Sequence, residues 1–159
     1  MKFRFLLKIS IVYFSIVVLF VLDRWLKYYF LQNPDASRDF FYLSFHLAKN
    51  YGIAFGILMY YPLLLFLIIG ALILLVYAWQ ISMKHRNFLY ILGLSYIILG
   101  TVSNLYDRLA YRYVIDYVDV PFFTIINIAD VMIFFGVCAI FYKEIFIMKA
   151  SLSSRKTLG

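Results

Sequence analysis

Asp116 and Asp130 are the residues of this chain best suited to chemistry. Asp116 lies in Val114-Ile115-Asp116-Tyr117-Val118, an apolar run whose one nearby base is Arg112, and Asp130 lies in the equally apolar run from Ile125 to Met132. Carboxylates held in unlike protonation states can serve as a general acid and a general base. A plainer reading competes for Asp130. It stands three residues after Asn127, the spacing of a helix N-cap and its acidic partner, and a helix dipole favours charge there by about 0.3–1 kcal/mol. Burial among apolar neighbours acts the other way and favours protonation. The residues alone leave cap and catalysis equally open.

The other acids have ready structural explanations. Asp23 and Lys27 are four apart, an ion pair on a helix; Asp107 is followed by Arg108; Asp35 and Asp39 flank Arg38 in a polar loop. In a strand, Asp119 has the opposite parity to Asp116 and points to the other face. Ser44 and Ser103 share the outer region with Lys27 and Lys49, so a Ser/Lys dyad is conceivable in an undistinctive context. Cys138 is expected to be a small buried packing residue, and a lone cysteine forms no intramolecular disulfide. Neither His46 nor His85 sits at a metal-ligand spacing with it, so no metal or cofactor is expected.

Elements that hold such residues must suit a very apolar chain. Of 159 residues, 65% are hydrophobic and 14% charged, and the mean hydropathy is +0.90. A soluble domain carries about 25% charged residues, and a disordered chain needs low hydrophobicity; neither description fits. One compact membrane domain over residues 1–159 is expected, membrane all-α in class. The net charge of +7 is segregated along the chain, so it does not argue for nucleic acid.

Four spans follow. Lys2, Arg4 and Lys8 precede the uncharged run Ile9 to Leu22, and Asp23-Arg24-Trp25 offers no small-x-small cleavage site, so a retained helix over about residues 5–22 is expected. The second covers 62–82, with Pro62 at its start; the third 87–106, with Gly93, Gly100 and Asn104 on one face for close helix approach; the fourth 128–148. Residues 151–159 read as a polar tail.

With the N-terminus, the Lys84/Arg86 loop and the tail on one side, that side holds nine of the fifteen Lys and Arg residues, while all seven aspartates fall on the other half. Both termini are therefore expected in the cytoplasm. The outer segments 23–61 and 107–127 are too long for tight turns. Phe41 to Leu47 and Tyr113 to Val120 read as partner strands, and Trp25, Tyr28, Tyr29, Tyr60 and Tyr61 as an interfacial belt.

Five motifs stand in order: Asp23-x-x-x-Lys27, Asn50-Tyr51-Gly52-Ile53-Ala54-Phe55-Gly56, Gly100-x-x-x-Asn104-x-x-Asp107-Arg108, Val114-x-Asp116-Tyr117 and Asn127-x-Ala129-Asp130. Together they resemble the motif set of lipoprotein signal peptidase, signal peptidase II, over residues 1 to about 148. The resemblance implies a bacterial inner-membrane aspartyl endopeptidase that removes the signal peptide of prolipoproteins just before the cysteine carrying a diacylglyceryl group. It implies Asp116 and Asp130 as the catalytic pair, with Asn50, Gly52, Asn104, Arg108 and Asn127 lining or bracing the site and Asp23 and Lys27 in support. It also implies four transmembrane helices with a small extracytoplasmic β cradle and a surface helical loop. The implied partners are lipid-modified prolipoprotein, membrane lipid and peptide inhibitors such as globomycin.

Three departures from the family pattern are visible. Ser103 stands where Gly is usual, Tyr117 where Phe is usual, and the stretch from Asp116 to Asp130 is a few residues short, which bears on inhibitor fit. Two rival classes remain. A small proton-coupled transporter or channel subunit would also keep intramembrane acids, but near mid-helix. A non-catalytic assembly subunit would use the glycine face of the third helix as its contact surface.

Overall fold

The computed structural model describes residues 2–53, 57–122 and 124–156. Four helices, α1 (Lys2–Gln32), α2 (Tyr61–Lys84), α3 (Phe88–Tyr111) and α4 (Ile128–Lys156), carry an antiparallel sheet of strands β1 (Arg38–Phe40), β2 (Leu43–Asn50), β3 (Val114–Val120) and β4 (Thr124–Ile126), in that order. Among the described residues, Ile9–Gln32, Tyr61–Lys84 and Phe88–Tyr111 are long and apolar enough to cross a membrane.

The helices run further than their apolar cores predict. α1 does not end at Leu22 but continues through Asp23 and Lys27 to Gln32, so the outer segment begins there. No Gly or Pro interrupts it before Pro34, and the buried positions Val12, Ile16, Asp23, Lys27 and Phe30 keep to one stripe. The two charges stay inside because they are paired. Likewise α3 extends past Tyr106 and takes Asp107 and Arg108 into its last turns. It stops where Arg112 turns left-handed (φ 70°) and donates its N–H to Arg108 O. α2 starts with Pro62 in its first turn. The stretch expected as a tail from Ser151 is helical to Lys156, and residues 157–159 lie outside the described residues.

α3 and α4 pack backbone to backbone. A Cβ on Gly93 would lie 2.7 Å from Gly136 O, and one on Gly100 would lie 2.5 Å from Ala129 O. The expected glycine face is therefore filled by α4, with Gly136 as its counterpart. Val12, Ile16 and Met132 form a core beside it, joining α1 to α4. Cys138 corrects the sequence reading: it is exposed, on the face of α4 turned away from α3. Helical phase explains this, because Gly136 two residues earlier faces inward.

In the sheet, β2 pairs with β3 in the register Ala48 to Asp116 and Ser44 to Asp119. Phe41 is not in a strand; at φ 55° it forms the hairpin turn with Tyr42, and the strand starts at Leu43. The first four residues of β3 are buried and its last three half-buried. Among the described residues no helix occurs besides these four. Ala54, Phe55 and Gly56 of the second motif lie outside the described residues, within the segment between β2 and α2.

Candidate active site

Asp116 and Asp130 meet through Asn127. β3 brings in Asp116, while β4 leads directly to the start of α4 and so to Asp130. Asn127 Nδ2 donates to Asp116 Oδ1 at 2.6 Å, and its backbone N–H donates to Asp130 Oδ2 at 3.3 Å. Asp130 N–H returns a bond to Asn127 Oδ1 at 2.9 Å. The helix-cap reading of Asp130 is thus correct as geometry. It leaves Asp130 Oδ1 to accept from Asn104 Nδ2 at 2.8 Å, so the cap also presents the carboxylate to the site.

Asn50, at the end of β2, completes the surround of Asp116, donating to Oδ2 at 3.1 Å. Its own Oδ1 accepts Gly52 N–H at 3.0 Å, and Gly52 O accepts from Arg108 Nη2 at 2.8 Å. Tyr61 donates from its hydroxyl to Arg108 O at 2.5 Å, fastening α2 to the end of α3. All seven supporting positions implied by the motifs therefore belong to one hydrogen-bonded cluster with the two aspartates.

Beneath it lies a buried charge network. Lys27 Nζ is 3.2 Å from Asp23 Oδ2 and 2.8 Å from Asp107 Oδ2, and it donates to Asn104 Oδ1 at 2.7 Å. Arg24 Nη1 lies 2.5 Å from Asp107 Oδ1. The partners of Asp107 are thus Arg24 and Lys27 of α1 rather than the adjacent Arg108, whose guanidinium reaches Gly52 instead. Adjacent helical residues diverge by about 100°, which explains the correction. Two acids against two bases leave the network neutral, as burial requires.

Ser103 Oγ donates to Asp23 Oδ2 at 2.5 Å, and Ser44 Oγ donates to Asp39 Oδ1 at 2.7 Å. Both serines bond to carboxylates rather than to a lysine base, which removes the Ser/Lys dyad. Sequence reasoning gave Arg24 no role, weighed Ser103 only as a dyad nucleophile and Asp107 only as a partner of Arg108, and noted Tyr117 only as a departure from the family pattern. The signal was present for Asp107, three residues after Asn104 on the glycine face.

Asp116 is 2% exposed. Its pKa is pushed up to about 7, first by burial and then by the nearby Asp130 charge, against the opposing amide bonds from Asn50 and Asn127 and the Lys27 charge. A carboxyl of this kind can exchange a proton near neutral pH. Among the described residues no group of His, Cys, Asp and Glu is arranged to hold a metal ion.

The family model described as signal peptidase (SPase) II matches residues 15–146. The lipoprotein signal peptidase of Buchnera aphidicola subsp. Schizaphis graminum is 36% identical over 146 residues, covering 86% of this chain and 92% of that one. That of Bartonella quintana is 32% identical, covering 87% and 89%. A solved structure described as a bacterial membrane enzyme, determined by the in meso method at 2.3 Å resolution, superposes with a TM-score of 0.77 at 26% identity, covering 90% of each chain. With described residues of all five motifs gathered around one pair of carboxylates and a family match across most of its length, the chain belongs to the signal peptidase II family.

Proposed function

We propose that the protein is an aspartic-type endopeptidase that removes signal peptides from diacylglyceryl-modified prolipoproteins, cutting just before the lipidated cysteine. The observation that carries this reading is the double attachment of Asn127 to Asp116 and Asp130, which holds both carboxylates in one hydrogen-bonded cluster. Close carboxylates do not both ionise readily, so the pair retains one proton over a range of pH and titrates as a unit. The ionised partner takes a proton from water as it attacks the scissile carbonyl. The protonated partner gives its proton to the carbonyl oxygen. As the resulting gem-diol collapses, the partner that took the water proton passes it to the leaving amine, and the first partner recovers its own from the diol hydroxyl. The amide bonds from Asn50, Asn104 and Asn127 keep the two carboxylates oriented throughout.

In this reading all four helices cross the bacterial inner membrane, both termini are cytoplasmic, and the sheet and active site lie at the outer face. Lipid-anchored substrate presents its peptide bond at that level, and a cyclic peptide inhibitor of the globomycin type would compete there. The transporter alternative lacks support, because Asp23 and Asp107 are fixed in ion pairs with Lys27 and Arg24. The assembly-subunit alternative lacks it too, since α4 already occupies the glycine face.

A cleavage assay with one lipidated prolipoprotein and detergent-solubilised, monodisperse protein tests the proposal. The expected result is release of the signal peptide, unaffected by a metal chelator or a thiol-alkylating reagent. No product from well-folded protein, or loss on chelation restored by zinc, would overturn it.

A further inference from the structure

Tyr117 is the residue after Asp116, and its side chain points away from that carboxylate into the protein. It is 1% exposed, with its ring stacked on Phe30 of α1 at 5.5 Å between centroids. A hydroxyl buried this deeply needs partners. Tyr117 Oη donates to Asp23 Oδ1 at 3.0 Å and accepts the backbone N–H of Ile128 at 3.0 Å. The same Asp23 oxygen accepts Ala129 N–H at 3.2 Å.

Ile128, Ala129 and Asp130 form the opening of α4, where helical N–H groups have no partner within the helix. Here each N–H is taken by a side chain: Ile128 by Tyr117, Ala129 by Asp23 and Asp130 by Asn127. Burial and the adjacent Asp23 carboxylate both push the Tyr117 phenol up, so it stays neutral and keeps its donor at working pH. Thus a single oxygen atom connects α1 to the first turn of α4 and sits on the strand that carries Asp116.

We propose that Tyr117 is a positioning residue, whose hydroxyl holds the first turn of α4, and with it Asp130, at a fixed separation from Asp116 on β3. The inference rests on the two-aspartate reading above. Loss of the hydroxyl leaves Ile128 N–H buried and unpaired, and α4 relieves this by shifting its first turn toward water or another acceptor. The carboxylates then separate. Coupling between them resists removal of the second proton and scarcely affects the first. Around Asp116 stand Asn50 of β2, Asn127 and Asp130 at the start of α4, Lys27 of α1 and Arg108 of α3. Of these, Asp130 is the acid whose distance the hydroxyl would govern.

The test compares the parent with Tyr117→Phe, which keeps the stacked ring, in cleavage assays on detergent-solubilised full-length protein across a pH series. The expected result is kcat reduced about 10-fold with KM within about 2-fold, and the alkaline limb of the rate profile moved to lower pH with the acid limb unmoved. A uniform scaling of the whole profile, a change confined to KM, or failure of the variant to fold would overturn the proposal, since each describes a merely structural hydroxyl. Ser103→Ala supplies the second variant. It removes the other hydroxyl donor to Asp23 without touching Ile128, and its alkaline limb should stay with the parent. An equal shift in Ser103→Ala would mean that the hydroxyls act by solvating Asp23, which also overturns the proposal. Failure of the two-aspartate reading looks different, because Asp116→Asn or Asp130→Asn would then cleave substrate whatever Tyr117→Phe does.

Discussion

Lys27 donates from Nζ to Asn104 Oδ1 at 2.7 Å, and that bond decides which way the Asn104 amide faces. With the oxygen committed to the ammonium, Nδ2 must point to Asp130, where it donates at 2.8 Å. A fully buried cation therefore orients a neutral donor on the Asp130 carboxylate without touching it.

The first prediction concerns that cation. Lys27→Met keeps the length of the side chain but removes the ion pair of Asp23 and leaves Asp107 paired with Arg24, and breaking a buried ion cluster from one side costs about 3–5 kcal/mol. Thermal unfolding of the purified variant should show a large loss of stability, and cleavage by the folded fraction should fall as well. A variant as stable as the parent would mean that the network is not a structural support.

Glycine packing gives a sharper contrast. A Cβ at Gly100 would meet Ala129 O at 2.5 Å and Ile133 Cγ1 at 2.9 Å, whereas one at Gly70 would meet nothing within 4 Å. Gly100→Ala should push the first turn of α4 away and reduce both stability and cleavage. Gly70→Ala should be neutral or stabilise α2 by up to about 1 kcal/mol, as Gly to Ala does in an open helix. Equal unfolding temperatures for the two variants would refute the close α3–α4 contact.

Much of this arrangement was legible in the sequence because it depends on local rules. Gly93, Gly100 and Asn104 share a face by helical phase alone, and the Asn127/Asp130 cap follows from a three-residue spacing. Asp23 and Lys27 pair at 3.2 Å as their i, i+4 spacing predicts. What escaped was long-range. The link from Arg24 to Asp107 joins residues on two helices, and no local pattern announces it. The helix ends at Gln32 and Tyr111 were missed for the same reason: hydropathy stops a span at the first charges, whereas partners on other elements let the helix continue. Cys138 was misplaced because an apolar helix in a membrane gives no polar face from which to read its buried side.

Asp116 also makes stability depend on pH. Its folded pKa of about 7 lies above the unfolded value of about 3.9. Between these values the folded state holds a proton that the unfolded state has released. Stability is therefore fully present below the unfolded value and declines as pH rises through about 7. Unfolding followed in detergent at a series of pH values should show this decline in the parent, and the contribution should be absent in Asp116→Asn. An identical pH slope in both proteins would show that Asp116 is not the group responsible.

Asp116→Asn and Asp130→Asn are each expected to abolish cleavage while the protein remains inserted and folded. For Asp130 the two readings diverge. Asn is a good helix cap and still accepts a hydrogen bond, so a residue that only caps α4 would lose little on this change. An amide cannot exchange protons as a general acid or base, so a catalytic residue would lose nearly everything. Groups that act as one unit are also non-additive, and the double variant should be scarcely worse than either single one. Asp119→Asn is the control. Asp119 pairs across the sheet with Ser44, on the opposite parity to Asp116, and its variant should retain substantial activity. Cleavage of lipidated prolipoprotein by Asp130→Asn at close to the parent rate would reduce Asp130 to a cap and make Asp107, already buried beside Lys27, the next acid to test.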